Sequence, residues 1–109
     1  MIVDKLTNYH RNWIIGNFEP AMHTTEHFEI AVHRNTVDDI IIPHYQKTAT
    51  EYTIIVSGSI VVGGHTLGPD DVFVWEPNEV CDGKFLEDTV TVVIKTPSVG
   101  IEDKVNVDD

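Results

Sequence analysis

Apolar residues in this chain come in short, β-branched runs, and a turn former ends each run within a few residues. Trp13-Ile14-Ile15 stops at Gly16-Asn17, Ile40-Ile41-Ile42 at Pro43, and Tyr52 to Val56 at Ser57-Gly58. Ile60-Val61-Val62 stops at Gly63-Gly64, Val72 to Trp75 at Glu76-Pro77-Asn78, and Val90 to Ile94 leads into Thr96-Pro97. Runs of this length read as strands, because no segment holds apolar residues at helical spacing over three turns. Phe28 to Val32 alternates, with Phe28, Ile30 and Val32 on one face and Glu29, Ala31 and His33 on the other. Ala21 to His27 has room for one short helical turn at best. Seven or eight short strands without intervening helices predict an all-β barrel or sandwich.

Glycine places the turns, since it reaches positive φ without steric cost. Ser57-Gly58 is read as a hairpin from the strand ending at Val56 to the one starting at Ile60. Gly63-Gly64 turns that strand toward Thr66-Leu67, and Gly68-Pro69-Asp70-Asp71 makes a further turn.

The charge balance narrows the partners. Seven basic residues stand against 18 acidic ones, a net charge of −11 over 109 residues. Such a surface repels phosphate backbones and anionic lipid, so neither nucleic acid nor a membrane is an expected partner. No apolar run approaches the ~18 residues of a membrane span. Met1 to Asn8 lacks the basic and apolar zones of a signal peptide. The single Cys81 has no partner for an internal disulfide, and the expected location is the cytoplasm. Glu102, Asp103, Asp108 and Asp109 read as a solvated acidic tail.

One stretch carries chemistry. His44 and Gln46 are two residues apart, so on a strand they share a face. Glu51 opens the next apolar run and can reach the same spot across a short turn. Converging nitrogen and oxygen donors suit a divalent metal or a polar small molecule. Nothing in the chain has the form of a serine-hydrolase elbow, a phosphate-binding glycine loop or a CxxC site.

From Asp38 to Gly58 the chain resembles the first motif of the cupins, G-x5-H-x-H-x3,4-E-x6-G, with every spacing kept: Asp38, His44, Gln46, Glu51 and Gly58. Asp70 to Phe85 lies along the second motif, G-x5-P-x-G-x2-H-x3-N. There Asp70, Glu76, Asn78, Cys81 and Phe85 stand at the glycine, proline, glycine, histidine and asparagine positions. The resemblance covers about residues 28–97 and implies a single-domain cupin-type jelly-roll barrel with an interior pocket, commonly a homodimer. It divides the chain into an N-terminal strand segment, 1–27, packed on the barrel or on a dimer partner; the barrel, 28–97; and an acidic C-terminal tail, 98–109.

In a metal-binding cupin the ligand positions fall here on His44, Gln46, Glu51 and Cys81. Only His44 and Glu51 keep the family's residue types. Sulfur, nitrogen and oxygen together favour zinc over iron as the candidate divalent metal, and two substitutions in four weaken the set. His33 is a further candidate, facing the same way as Glu29. Tyr52, Phe73 and Trp75 are candidates for core packing or for lining the pocket. His10, His23, His27 and His65 are expected to be exposed. No catalytic residue is named by the sequence. The resemblance implies a small-molecule-binding cupin, with or without a metal; the alternative is a metal-dependent cupin enzyme of isomerase or oxygenase type acting on a small polar substrate.

Overall fold

The β-branched runs become strands, and the structure of the chain, a computed structural model, describes residues 1–107. In chain order the strands are β1 (Trp13–Gly16), β2 (His23–Thr24), β3 (Glu29–Asn35), β4 (His44–Gln46), β5 (Thr50–Ser57) and β6 (Ile60–Val62). They continue as β7 (His65–Leu67), β8 (Val72–Trp75), β9 (Lys84–Phe85), β10 (Thr89–Thr96) and β11 (Lys104–Asn106). Three single-turn 3-10 segments complete the described residues, at Leu6–Asn8, His10–Asn12 and Ile101–Asp103. Among the described residues no helix is long and apolar enough to cross a membrane.

The strands form a six-stranded sheet in the order β2-β1-β3-β10-β5-β8, a three-stranded sheet β7-β6-β9 and a two-stranded sheet β11-β4. Chain neighbours such as β3 and β4, or β5 and β6, lie in different sheets, which is the jelly-roll arrangement the sequence predicts. An apolar core of Ile55, Ile60, Val62 and Phe85 joins the large sheet to the three-stranded one, with Ile41, Leu67, Phe73 and Trp75 packed against it.

Period-two alternation across β3, β10, β5 and β8 sets what each face carries. Register aligns Glu29, Lys95, Glu51 and Trp75 in one row. Ala31, Val93, Thr53 and Phe73 form the next, and His33, Thr91 and Ile55 a third. These rows turn inward: Ala31, Thr53, Ile55, Thr91 and Val93 are all buried. The intervening residues make outer rows, Ile30, Ile94, Tyr52 and Val74, then Val32, Val92, Ile54 and Val72.

One of the two glycine hairpins read from the sequence forms. Gly63 and Gly64 both have positive φ, 53° and 79°, as a two-residue hairpin between β6 and β7 needs. Gly58, at φ 91°, is a corner and not the expected hairpin, because β5 and β6 belong to different sheets. A Cβ there would collide with the Asp88 carbonyl and Thr89.

Three further expectations are corrected. Ile40-Ile41-Ile42 is no strand: Ile40 and Ile42 are exposed, and the segment makes only a bridge from Ile40 to Lys84. Ala21 to His27 holds the short β2, paired with β1, so this part of the N-terminal segment joins the chain's own large sheet. Residues 98–107 are not a solvated tail. β11 pairs with β4, Ser98 is buried, and Asp103, 7% exposed, accepts N–H bonds from Thr48 at 2.9 Å and Ala49 at 3.1 Å. The acidic residue there is a buried clamp on the loop between β4 and β5. Asp108 and Asp109 lie outside the described residues.

Burial alone would raise the Asp103 carboxyl; the N–H bonds from Ala49 and Thr48, with the charge of Lys47, outweigh it and hold the group below its ordinary value. A depressed carboxyl stabilises the fold above its unfolded pKa, near ~3.9, and that contribution is lost as pH falls through the folded value. Asp103→Ala should cost about 1–3 kcal/mol in urea unfolding at neutral pH, by stranding the buried Ala49 amide and the partly buried Thr48 amide. The gap to wild type should narrow on acidification below pH ~4.

Candidate functional site

β4 is short, but its pairing with β11 and a bridge to Cys81 fix it against the barrel. The His44 amide donates to the Cys81 carbonyl at 3.2 Å, and the Cys81 amide donates to the His44 carbonyl at 2.6 Å. The left-handed Asn78, at φ 69°, turns the chain so that its own amide donates to the Gln46 carbonyl at 2.7 Å. Asparagine tolerates this conformation better than most residues, which is how it substitutes for a glycine here.

These constraints bring four of the sequence's candidates together at one end of the barrel. His44 Nδ1 lies 2.7 Å from the Ile42 carbonyl. A carbonyl accepts only, so Nδ1 carries a proton and donates it there. Gln46 is 4% exposed, and its Oε1 is buried without a hydrogen-bond partner. Burial pushes the Glu51 carboxyl above its ordinary range; Lys95, His44 and Lys104, together with a hydrogen bond from Gln46, oppose this without reversing it. Cys81 is a buried free thiol, pushed up to about 12 by burial and by the carboxylates of Glu51 and Glu79. Its Sγ donates weakly to the Glu79 carbonyl at 3.9 Å.

The remaining candidates separate. His33 faces inward, but its ring stands edge-on to Trp13 at 5.4 Å, and burial, followed by the charges of Arg11 and Lys95, lowers its pKa. Trp75 and Phe73 are inward and half-buried, packed edge-to-face at 6.2 Å. Tyr52 does not line the interior. Its neighbour Glu51 takes the inward position, so alternation puts Tyr52 on the outer face, 47% exposed. His10, His23, His27 and His65 are exposed as expected.

Two residues of the site were missed by sequence reasoning. Lys95 sits between Glu29 and Glu51 in the inner row, its Nζ 3.3 Å from Glu29 Oε1 and 5.4 Å from the centre of the Trp13 ring. Glu29, 5% exposed, also accepts a bond from the Ser98 hydroxyl at 2.8 Å. The signal was available: Lys95 shares its parity with the inward Val93 and Thr91, and Glu29 shares its own with Ala31.

Among the described residues no three His, Cys, Asp or Glu side chains gather closely enough to hold an ion. Gln46 is neutral, and Lys95 already places a cation beside Glu51. As arranged, these donors do not fit a resident divalent metal. A recess of about 420 Å³ opens at the edge of β8 between Val62, His65, Leu67, Phe73, Trp75 and Glu79. None of His44, Gln46, Glu51 or Cys81 lines it; it meets their cluster through Trp75, opposite Glu51, and through Glu79.

A conserved protein with a double-stranded β-helix domain from Klebsiella pneumoniae superposes with a TM-score of 0.72 at 15% identity, covering 98% of this chain and 92% of that one. An RmlC-like cupin from Methanocaldococcus jannaschii gives 0.60 at 17% identity, covering 68% and 73%. The DMSP lyase DddQ from Ruegeria pomeroyi gives 0.67 at 16% identity, covering 87% of this chain but 49% of its own. No protein-family model matches the chain, and no curated protein matches it. The chain has the double-stranded β-helix fold seen in cupins.

The Glu29–Lys95 pair is buried enough to test by unfolding. Lys95→Met should destabilise by about 3–5 kcal/mol, because it leaves the Glu29 carboxylate buried and uncompensated. The double variant Glu29→Gln/Lys95→Met should recover most of that loss in urea titrations.

Proposed function

We propose that this cupin-fold protein binds a small, neutral polar molecule rich in N–H or O–H donors at the polar end of its barrel. The observation that supports this most is Gln46 Oε1, a buried acceptor with no donor. A stranded buried acceptor costs the fold about 1–3 kcal/mol, a penalty that a ligand's donor removes on binding. Its neighbour Glu51 adds carboxyl oxygens that accept as well. Glu29 and Glu51 flank a single Lys95, so a ligand carboxylate would meet more negative than positive charge. The net charge of −11 works in the same direction at longer range.

A second reading, an enzyme, draws on Glu51. A carboxyl raised by burial beside an imidazole is a workable acid–base pair for proton transfer on a bound polyol or amide. Its likeness to a lyase is one of fold, and many chemistries share folds. The chain's own residues in that reading are Glu51 as the proton carrier and His44 as its partner.

The test is a ligand screen joined to elemental analysis. Protein purified without an affinity tag should carry no stoichiometric metal, in wild type or in His44→Ala. Stoichiometric zinc or iron in wild type, lost in His44→Ala, would overturn the metal-free site. In thermal-shift and calorimetric titrations, neutral monosaccharides and nucleosides should stabilise the protein more than carboxylic acids of the same size. Gln46→Leu should abolish that stabilisation. Binding led by carboxylates, or unchanged in Gln46→Leu, would sink the assignment.

A further inference from the structure

The recess beside β8 has aromatic walls that the polar cluster does not use. β7 ends the three-stranded sheet and β8 ends the six-stranded one, and both line the recess, so it lies in the seam between two sheet edges. Its volume of about 420 Å³ falls within the ~300–1,000 Å³ of small-molecule pockets. Val62 and Leu67 make one side aliphatic, and Phe73 and Trp75 make the other aromatic. The two rings are partly exposed and stand at 79° with centroids 6.2 Å apart, so they form a corner and not a flat floor. The indole reaches across the seam to the β6–β7 hairpin: a Cβ on Gly63 would lie 3.8 Å from Trp75 Cη2.

Charge selects what such a corner can hold. From Thr48 to Gly83 the chain has no lysine or arginine and six acidic residues, Glu51, Asp70, Asp71, Glu76, Glu79 and Asp82. Every residue lining the recess falls in that span. Lys84 pairs with Val61, which has the opposite parity to the inward Val62. Lys95 lies two strands from Trp75, with Glu51 between them, and is paired to Glu29. Glu79 lines the recess itself, and its Oε1 accepts the Glu76 amide at 2.8 Å, so its own turn orients the carboxylate. We infer that this recess binds an organic cation with an apolar body, of the quaternary or aromatic ammonium class. The cationic head sits on the Trp75 indole within reach of Glu79, and the body packs against Leu67 and Phe73. A neutral molecule of the same shape would gain the rings and nothing from Glu79, and an anion would meet a field of its own sign. The site goes beyond the polar cluster, since His44, Gln46, Glu51 and Cys81 do not line it.

Two-dimensional nitrogen–proton spectra of the full chain test this through its two tryptophans, Trp13 and Trp75. Trp13→Phe assigns the two indole signals. The probes are phenyltrimethylammonium, its neutral isostere tert-butylbenzene, and benzoate, at pH 8 to keep histidine protonation out of the comparison. The ammonium should shift the Trp75 indole saturably and leave that of Trp13 in place. It should bind at least ~10-fold more tightly than either other probe, and added salt should weaken it. Glu79→Gln keeps the oxygen that holds the Glu76 amide and should weaken the ammonium about fivefold. Gln46→Leu should leave its affinity unchanged. Equal affinity for tert-butylbenzene or benzoate, a shift at Trp13 without one at Trp75, or an affinity indifferent to Glu79→Gln would each overturn the proposal. Loss of binding in Gln46→Leu would also overturn it, by moving the cation into the polar cluster. The neutral-ligand site is judged separately, by the response of monosaccharides and nucleosides to Gln46→Leu.

Discussion

Strand β10 is hydrogen-bonded along its length to β3 on one side and β5 on the other, and that double pairing constrains everything else. A strand held on both edges cannot twist a side chain from one face to the other, so each residue of β10 is committed inward or outward by parity. Thr91, Val93 and Lys95 go in; Val90, Val92 and Ile94 go out. Slipping the register by one residue would expel Lys95 onto an aliphatic surface and bury Ile94 against Glu29 and Glu51. The ion pair to Glu29 and the unbroken apolar outer rows therefore select the same register for opposite reasons.

The polar end of the barrel follows from that commitment. An interior row of Glu29, Lys95, Glu51 and Trp75 puts two carboxyls around one ammonium in a region of low water content, where unpaired charge is costly. Glu29 is satisfied by Lys95 and Ser98, and its role is structural. Glu51 is left with burial as its dominant influence, and its carboxyl rises. β4 then delivers His44 and Gln46 from the facing sheet, and the bridge to His44 delivers Cys81. The result is a cluster rich in acceptors with one of them, Gln46 Oε1, lacking a donor. A lysine, a thiol and an amide thus stand together at this end of the barrel.

The sequence was most legible where physics acts locally. Short β-branched runs, paired glycines at Gly63-Gly64 and the alternation of Glu29, Ala31 and His33 gave the all-β class, a hairpin and the inward face of β3. Motif spacing located His44, Gln46, Glu51 and Cys81 in one neighbourhood. It was least legible where the answer depends on which strands become neighbours. Ile40-Ile41-Ile42 has strand composition yet finds no full partner, and Ser57-Gly58 resembles a hairpin but turns between sheets. Asp103 looked like one more tail acid, because its value lies in two amides 54 and 55 residues away. Lys95 was hidden in an apolar strand until pairing set it between two glutamates. Tyr52 was placed inside by its aromaticity, while its parity with Ile54 and Val56 placed it outside.

The central claim is that the polar end of this barrel is a hydrogen-bonding site built around Gln46 and not a metal shell. A high-resolution crystal structure of protein grown without added metal or chelator, with anomalous data collected above the zinc and iron edges, tests this most directly. The account predicts water or an organic molecule within hydrogen-bond distance of Gln46 Oε1, Lys95 paired to Glu29, and no anomalous peak in the barrel. An anomalous peak ligated by His44, Glu51 and Cys81, with Lys95 displaced from the interior, would contradict it.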